Sequence, residues 1–311
     1  MQKPPDSDTL QALGATVFER GWLSSNNVLI QGDGQSALVD SGYSAHAPLT
    51  RSLVQSALKG QPLDLLLNTH LHSDHCGGNA LLQATYPKME TYIPPGHADA
   101  VADWDPDTLT YEPTGQSCPR FSHQGLLNPG DTLQLGSYPW EVHGAKGHDP
   151  HSVILFQRDT GVLISADALW NNGFGVVFPE LEGVDAFDEV GETLDVIEAL
   201  QPRLVIPGHG PVFTDVEEAL SRARSRLAQF LASPERHRRY ALKVLVKFKL
   251  LEWQTISKAD LLAWSRTTPY MCSFMPEGSS VAGDQAWLAA LLTELERSGS
   301  LRTEGEQVIN T

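Results

Sequence analysis

The stretch Asn68-Thr69-His70-Leu71-His72-Ser73-Asp74-His75-Cys76-Gly77-Gly78-Asn79 decides how this chain is read. It follows an apolar run at 63–67, which predicts a strand that ends where the histidines begin. Three imidazoles and a carboxylate fall within six residues. At an extended strand end, side chains two apart point the same way, so His70 and His72 can bind one cation. The chain then turns, and Asp74 and His75 face a second position. Gly77 and Gly78 permit that turn and the close start of a helix expected over 78–85. Imidazole with carboxylate suits zinc, with iron or manganese as alternatives.

Four such groups do not complete a site, and the sequence supplies further donors at matching places. His148 lies in Gly147-His148-Asp149-Pro150-His151-Ser152, after a strand expected at 140–143. Asp167 follows a strand expected at 162–165, and His209 follows one expected at 204–207, inside Pro207-Gly208-His209-Gly210-Pro211. Donors at successive strand ends of one sheet edge converge on a single cleft.

Further strands are expected at 27–31, 37–40, 63–68, 91–93 and 153–157, and helices at 47–59, 185–199 and 215–232. This mixture predicts a layered α/β domain with helices outside and two sheets inside. The segment 94–124, rich in Asp, Pro, Thr and His, reads as a long irregular insert of the kind that covers sites. Ser233-Pro234 is a break. Beyond it, helical patterns at 236–252, 257–265 and 283–298 and a short two-stranded wing within 301–309 resemble a winged-helix arrangement. The expected division is 1–233 for the metal-binding domain and 234–311 for a small helical, winged-helix-like domain.

With these motifs in order, the chain resembles the metallo-β-lactamase superfamily of hydrolases. His-x-His-x-Asp-His at 70–75, His148, Asp167 and His209 follow in the family's sequence, and Asp40 in Leu38-Val39-Asp40-Ser41-Gly42 matches its first motif. The resemblance covers about 17–232 and implies an αββα four-layer sandwich. It also implies that His70, His72 and His148 hold a first divalent metal, most readily Zn2+. Asp74, His75 and His209 would hold a second, Asp167 would bridge the two, and Asp40 would support the metal loop. The chemistry so implied is hydrolysis, because bound cations lower the pKa of water from 15.7 to roughly 7. Asp74 would orient the nucleophile as well as ligate.

Within the family the residues favour some branches over others. Zinc β-lactamases usually lack the bridging Asp, which Asp167 supplies here. Only 42 residues separate Asp167 from His209, which leaves no room for the large insert of the family's nucleases. The glyoxalase II, lactonase and thioesterase group remains, and with it a small ester-like substrate: a thioester, a lactone or a related acyl compound. The basic residues that bind glutathione in glyoxalase II are not evident, and only Asp149-Pro150 stands between His148 and His151 where the family has three residues. The alternative is an RNA-processing phosphodiesterase guided by the C-terminal domain.

Weaker signals surround the motifs. His151 is a candidate contact to substrate or to a ligand. Trp170 and Phe174, in the aromatic loop after Asp167, and Tyr43, after Gly42, are candidates for an apolar substrate pocket. Cys76 reads as a small packing residue. Composition sets the outer limits. Of 311 residues, 41% are hydrophobic and 19% charged, and the formal net charge is −16. That excludes a charge-driven disordered chain and counts against nucleic-acid binding by the whole surface. Nine basic residues against the single acid Glu235 between Arg222 and Lys249 form the one local exception. The apolar run at 242–251 predicts a helix buried in the small domain or at a homodimer contact. Three scattered cysteines, no apolar run of membrane-spanning length and a polar N-terminus give a cytoplasmic, non-membrane expectation.

Overall fold

The computed structural model describes residues 7–278 and 280–311. Fourteen strands among them form three sheets. The first sheet contains β1 (Ala15–Phe18), β2 (Asn27–Gly32), β3 (Gln35–Val39), β4 (Leu65–Leu67), β5 (Glu90–Ile93) and β6 (Gly125–Leu126), in that spatial order. Its first three strands are antiparallel, and β3 to β6 run parallel. The second contains β7 (Thr132–Leu135), β8 (Tyr138–Gly144), β9 (Val153–Gln157), β10 (Val162–Ala166) and β11 (Leu204–Pro207), ordered β11-β10-β9-β8-β7. Only β10 and β11 pair in parallel there.

Alternation along the strands builds the layers. Val28 and Ile30, Ala37 and Val39, Leu155, Ile164 and Ile206 meet in one buried cluster between the two sheets. Their neighbours face outward. Leu29, Leu38 and Leu66 pack under the helices Ala47–Leu58 and Asn79–Thr85. Ile154, Phe156, Leu163 and Val205 pack under the helices Phe187–Leu200 and Val216–Ala232. Helix, sheet, sheet, helix is the αββα sandwich the motifs implied.

The helix Val216–Ala232 ends at Ser233, and Pro234 opens the helix Pro234–Trp253 at a position where its missing N–H costs nothing. Helices Lys258–Thr267, Pro269–Phe274 and Val281–Arg297 follow. They close a separate apolar core around Leu245, Leu261, Leu291 and Val308. Its sheet has three strands where two were expected: β13 (Leu301–Glu304) and β14 (Gln307–Asn310) are joined by β12 (Thr255–Ser257). Three residues are too few for alternation to reveal β12, and Pro269–Phe274 is too short for a helical period to show. The segment 94–124 carries helices Ala98–Asp103 and Tyr111–Thr114 and its own core of Val101, Leu109, Tyr111 and Phe121, to which Cys76 adds its thiol. It is a packed wall rather than an irregular loop. No helix among the described residues is long and apolar enough to cross a membrane.

Candidate functional site

The strand ends converge, but from both sheets rather than along the one sheet edge expected: β4 belongs to the first sheet, and β8, β10 and β11 to the second. His70 and His72 lie just past β4, and Asp74 and His75 on the one-turn helix Ser73–Cys76. His148 follows β8, Asp167 follows β10, and His209 follows β11. Three groups form in which the donor atoms lie within 4.8 Å of one another: His70, His72 and His148; His70, His75 and Asp167; Asp74, His75 and His209. Asp167 spans the groups, with one carboxylate oxygen 3.4 Å from His75 Nε2 and the other 3.4 Å from His148 Nε2 and 3.8 Å from His209 Nε2. His209 Nε2 also lies 3.0 Å from Asp74.

The rings are aimed by partners on their far sides. His75 Nδ1 donates to Asp40 at 2.7 Å, and Asp40 also accepts from the Thr69 N–H and hydroxyl. His148 Nδ1 donates to the Val176 carbonyl at 2.5 Å. Each bond fixes the tautomer so that the Nε2 lone pair faces the cluster. His72 turns the other way. Its Nδ1 lies 2.8 Å from His148 Nε2, and its Nε2 faces Asp149 at 3.8 Å. Among the described residues, His70 Nε2 and His75 Nε2 are buried without any hydrogen-bond partner. Two ring nitrogens at 2.8 Å and two orphaned ones beside carboxylates form a donor set that fits divalent cations.

The charges agree. Burial, with the neighbouring imidazoles, holds His70 well below its ordinary value and brings His72 down to about 4, so both rings are neutral donors at pH 7. Desolvation would raise the Asp167 carboxyl, but His209 and His75 hold it well below the usual carboxylate range. Desolvation likewise opposes ionisation of Asp74, and His75 and His209 overcome it. Two glycines give the cluster its room. A Cβ on Gly208 would stand 2.2 Å from an Asp167 oxygen, and one on Gly175 would stand 2.3 Å from His148 Nδ1.

The sequence model of the metallo-beta-lactamase superfamily matches residues 20–209, well over half of the chain. The chain belongs to that superfamily. Among curated relatives, hydroxyacylglutathione hydrolase of Brucella anthropi is 27% identical over 212 residues, covering 66% of each protein. The human acyl-coenzyme A thioesterase MBLAC2 is 27% identical over 65% of this chain and 81% of its own. Matches span 66% or less of the first such relatives' lengths, although hydroxyacylglutathione hydrolase of Xanthomonas axonopodis pv. citri aligns at 25% identity over 88% of this chain and 91% of its own. Of the solved structures, a metallo-beta-lactamase family protein of Thermus thermophilus superposes with a TM-score of 0.57 at 19% identity, over 96% of this chain and 99% of that one.

Around the metallo-beta-lactamase cluster lies a cavity of about 80 Å3. His72, Asp74, His148, Asp167 and His209 line its polar end, and Trp22, Trp170, Val176, Phe178, Val244, Leu245 and Phe248 its apolar walls. Thr110, Thr114 and Gln116 bring the 94–124 segment to its rim. Trp170 stands where expected, with Nε1 donating to Asp167 at 3.1 Å. Phe174 and Tyr43 do not line this cavity. Phe174 is buried beneath it against Phe230, and Tyr43 is buried against Phe248 with its hydroxyl accepting the Ser117 N–H. Both were expected in the pocket because their loops lead to it, but each loop turns its aromatic ring inward to core. His151 also faces away from the cluster, its ring against His97 and its N–H on Asp149.

Three contributors were not read from the sequence. Asp149 was seen only as spacing, yet it is the buried partner of His72. Trp22 stacks on His209 with ring centroids 5.4 Å apart and planes within 9°. The helix Pro234–Trp253 supplies the wall residues Val244, Leu245 and Phe248. The basic run at 222–249 is mostly paired within the chain. Arg222 and Arg224 meet Glu218 and Glu198. Arg239 and Lys243 meet Glu294, and Lys249 meets Glu252. Arg226 and Arg238 lie over Tyr240 and Phe274, and Lys247 donates to carbonyls near the chain end.

Proposed function

We propose that this chain is a dinuclear metallohydrolase of small acyl compounds, thioesters first and lactones next. The observation that carries the reading is the shared carboxylate: Asp167 faces His148 with one oxygen and His75 with the other. His70, His72 and His148 would hold one divalent ion and Asp74, His75 and His209 the second, with zinc best suited to this imidazole-rich set. When bound, the ions supply a nucleophilic hydroxide near neutral pH and polarise the scissile carbonyl.

The chain's own residues do the rest. Asp74 orients the nucleophile while its charge is balanced by His75 and His209. Asp40 and Val176 keep the His75 and His148 rings aimed by hydrogen bonds, and Asp149 lies 3.8 Å from His72 Nε2. Trp22, Phe178 and Phe248 exclude bulk water from the carbonyl. For a thioester, water adds across the C–S bond, which gives a carboxylate, a thiol and a proton. The mostly apolar cavity and the internally paired basic run support an acyl substrate over a polyanion. In this reading residues 1–233 carry the chemistry, and the winged-helix-like unit 234–311 completes the substrate wall.

A panel of thioesters, lactones and phosphodiesters on metal-quantified protein tests this. Turnover of a short-chain thioester or lactone that a chelator abolishes and zinc restores is expected. Cleavage of phosphodiesters alone, or metal-independent thioester turnover, would refute it.

A further inference from the structure

The helix Pro234–Trp253 serves two cores at once. Leu242, Leu245, Val246 and Leu250 point into the C-terminal core. A second stripe, Tyr240, Val244, Phe248 and Leu251, recurs at helical spacing on another face and lines a groove of about 400 Å3. Leu295, with Ser298 and Ser300 just past the C-terminal end of the last helix, forms the far wall, and Trp22 forms the near one. Trp22, Val244 and Phe248 line both this groove and the cavity over the metal ligands. The groove therefore starts where the reacting carbonyl would sit.

We infer that this groove is the acyl-chain subsite, and that the preferred substrates are thioesters with medium to long unbranched acyl tails. The inference rests on the hydrolase reading above and names its substrate class. Trp22 is 56% exposed although its ring is stacked on His209, so a large apolar surface beside the reacting centre awaits a cover. The volume lies within the roughly 300–1,000 Å3 of small-molecule pockets. The lysines at its edge are already engaged, Lys243 by Glu294 and Lys247 by the carbonyls of Ser300 and Thr311. Their ammonium groups are thus held at the rim, and the floor between Trp22, Val244, Phe248, Leu251 and Leu295 is apolar, which suits a hydrocarbon tail.

Acyl thioesters of two to fourteen carbons on one thiol carrier provide the test, together with a non-hydrolysable dodecyl thioether on the same carrier for direct binding. Each buried methylene is worth about a fourfold gain in kcat/KM. The wild-type protein should climb by about two- to fourfold per methylene over the middle of the series and then plateau. Leu251→Gln should flatten the climb, and Val244→Phe should move the plateau to shorter chains, so neither conclusion depends on a single variant folding well. A flat series in an enzyme that turns over the acetyl thioester overturns the subsite and spares the hydrolase. Dodecyl thioether binding that Leu251→Gln weakens, with no thioester turnover, supports the groove while the hydrolase reading fails. A dimer that buries Trp22 and persists in saturating dodecyl thioether assigns the groove to a second copy and overturns the proposal.

Discussion

The imidazole of His237 accepts the backbone N–H of Val177 at 3.0 Å. The carbonyl of the preceding residue, Val176, accepts the Nδ1 proton of the candidate ligand His148 at 2.5 Å. One peptide unit thus links a buried side chain of the C-terminal helix to an imidazole of the candidate cluster. Arg226 holds the same loop by donating to the Phe174 carbonyl. The C-terminal segment is part of the site's scaffold as well as its wall.

His237→Leu leaves the Val177 N–H buried and unpaired, at a cost of about 1–3 kcal/mol. It frees the loop that orients His148. Metal affinity should fall about 10- to 100-fold, read by competition with a chelator. His237→Gln, which can still accept the N–H, should recover much of it. Equal affinity in wild type and His237→Leu would refute the coupling.

The same histidine predicts a pH dependence. Burial, with Arg238 adding, pushes His237 down to about 4, against an unfolded value near 6.5. Between those values the unfolded chain binds a proton that the folded chain does not. Its contribution is complete above pH 6.5 and is lost as the pH falls toward 4, at about 1.4 kcal/mol per unit and on the order of 3 kcal/mol in all. Denaturant midpoints of His237→Gln should fall less steeply over that window than those of wild type. Parallel slopes would remove His237 from the acid response.

Gly208→Ala should lose metal without losing the fold. The added methyl would stand 2.2 Å from Asp167 and 3.0 Å from the His75 ring, so the cluster must open. Overpacking of this kind costs typically about 1–3 kcal/mol. Circular dichroism close to wild type with metal content well below it is expected. Full metal occupancy would contradict the packing argument.

Asp40→Asn tests the orientation of His75. The amide can accept from His75 Nδ1 or from the Thr69 N–H but not from both, and it removes the charge that holds the His75 proton. A roughly 10- to 100-fold weaker metal affinity is expected at pH 7, together with about 1–3 kcal/mol of lost stability for the buried donor left facing the NH2. Unchanged affinity would reduce Asp40 to a hydrogen bond within the loop.

The residues of the cluster were legible because each sits at the end of a strand, in a short motif that needs no distant partner to be read. The layers were legible more coarsely: an unbroken apolar run such as Val28-Leu29-Ile30 marks a strand covered on both faces, but it does not say which face meets the other sheet. The cavity wall was not. Trp22 and Phe248 lie more than two hundred residues apart, and no local pattern says that a helix beyond Ser233 closes a pocket opened at residue 70. Tyr43 and Phe174 mark the converse error. Proximity in sequence to a motif does not say which way a ring turns, and both rings turn into core.

The central claim is that Asp167 joins two metal positions into one hydrolytic centre. The most direct test is metal content per chain, by elemental analysis, alongside thioester turnover in wild type and Asp167→Ala. Two equivalents and turnover are expected in wild type. The variant should hold less than one equivalent and lose activity by about a thousandfold or more. An Asp167→Ala protein with full metal content and normal turnover would contradict the account.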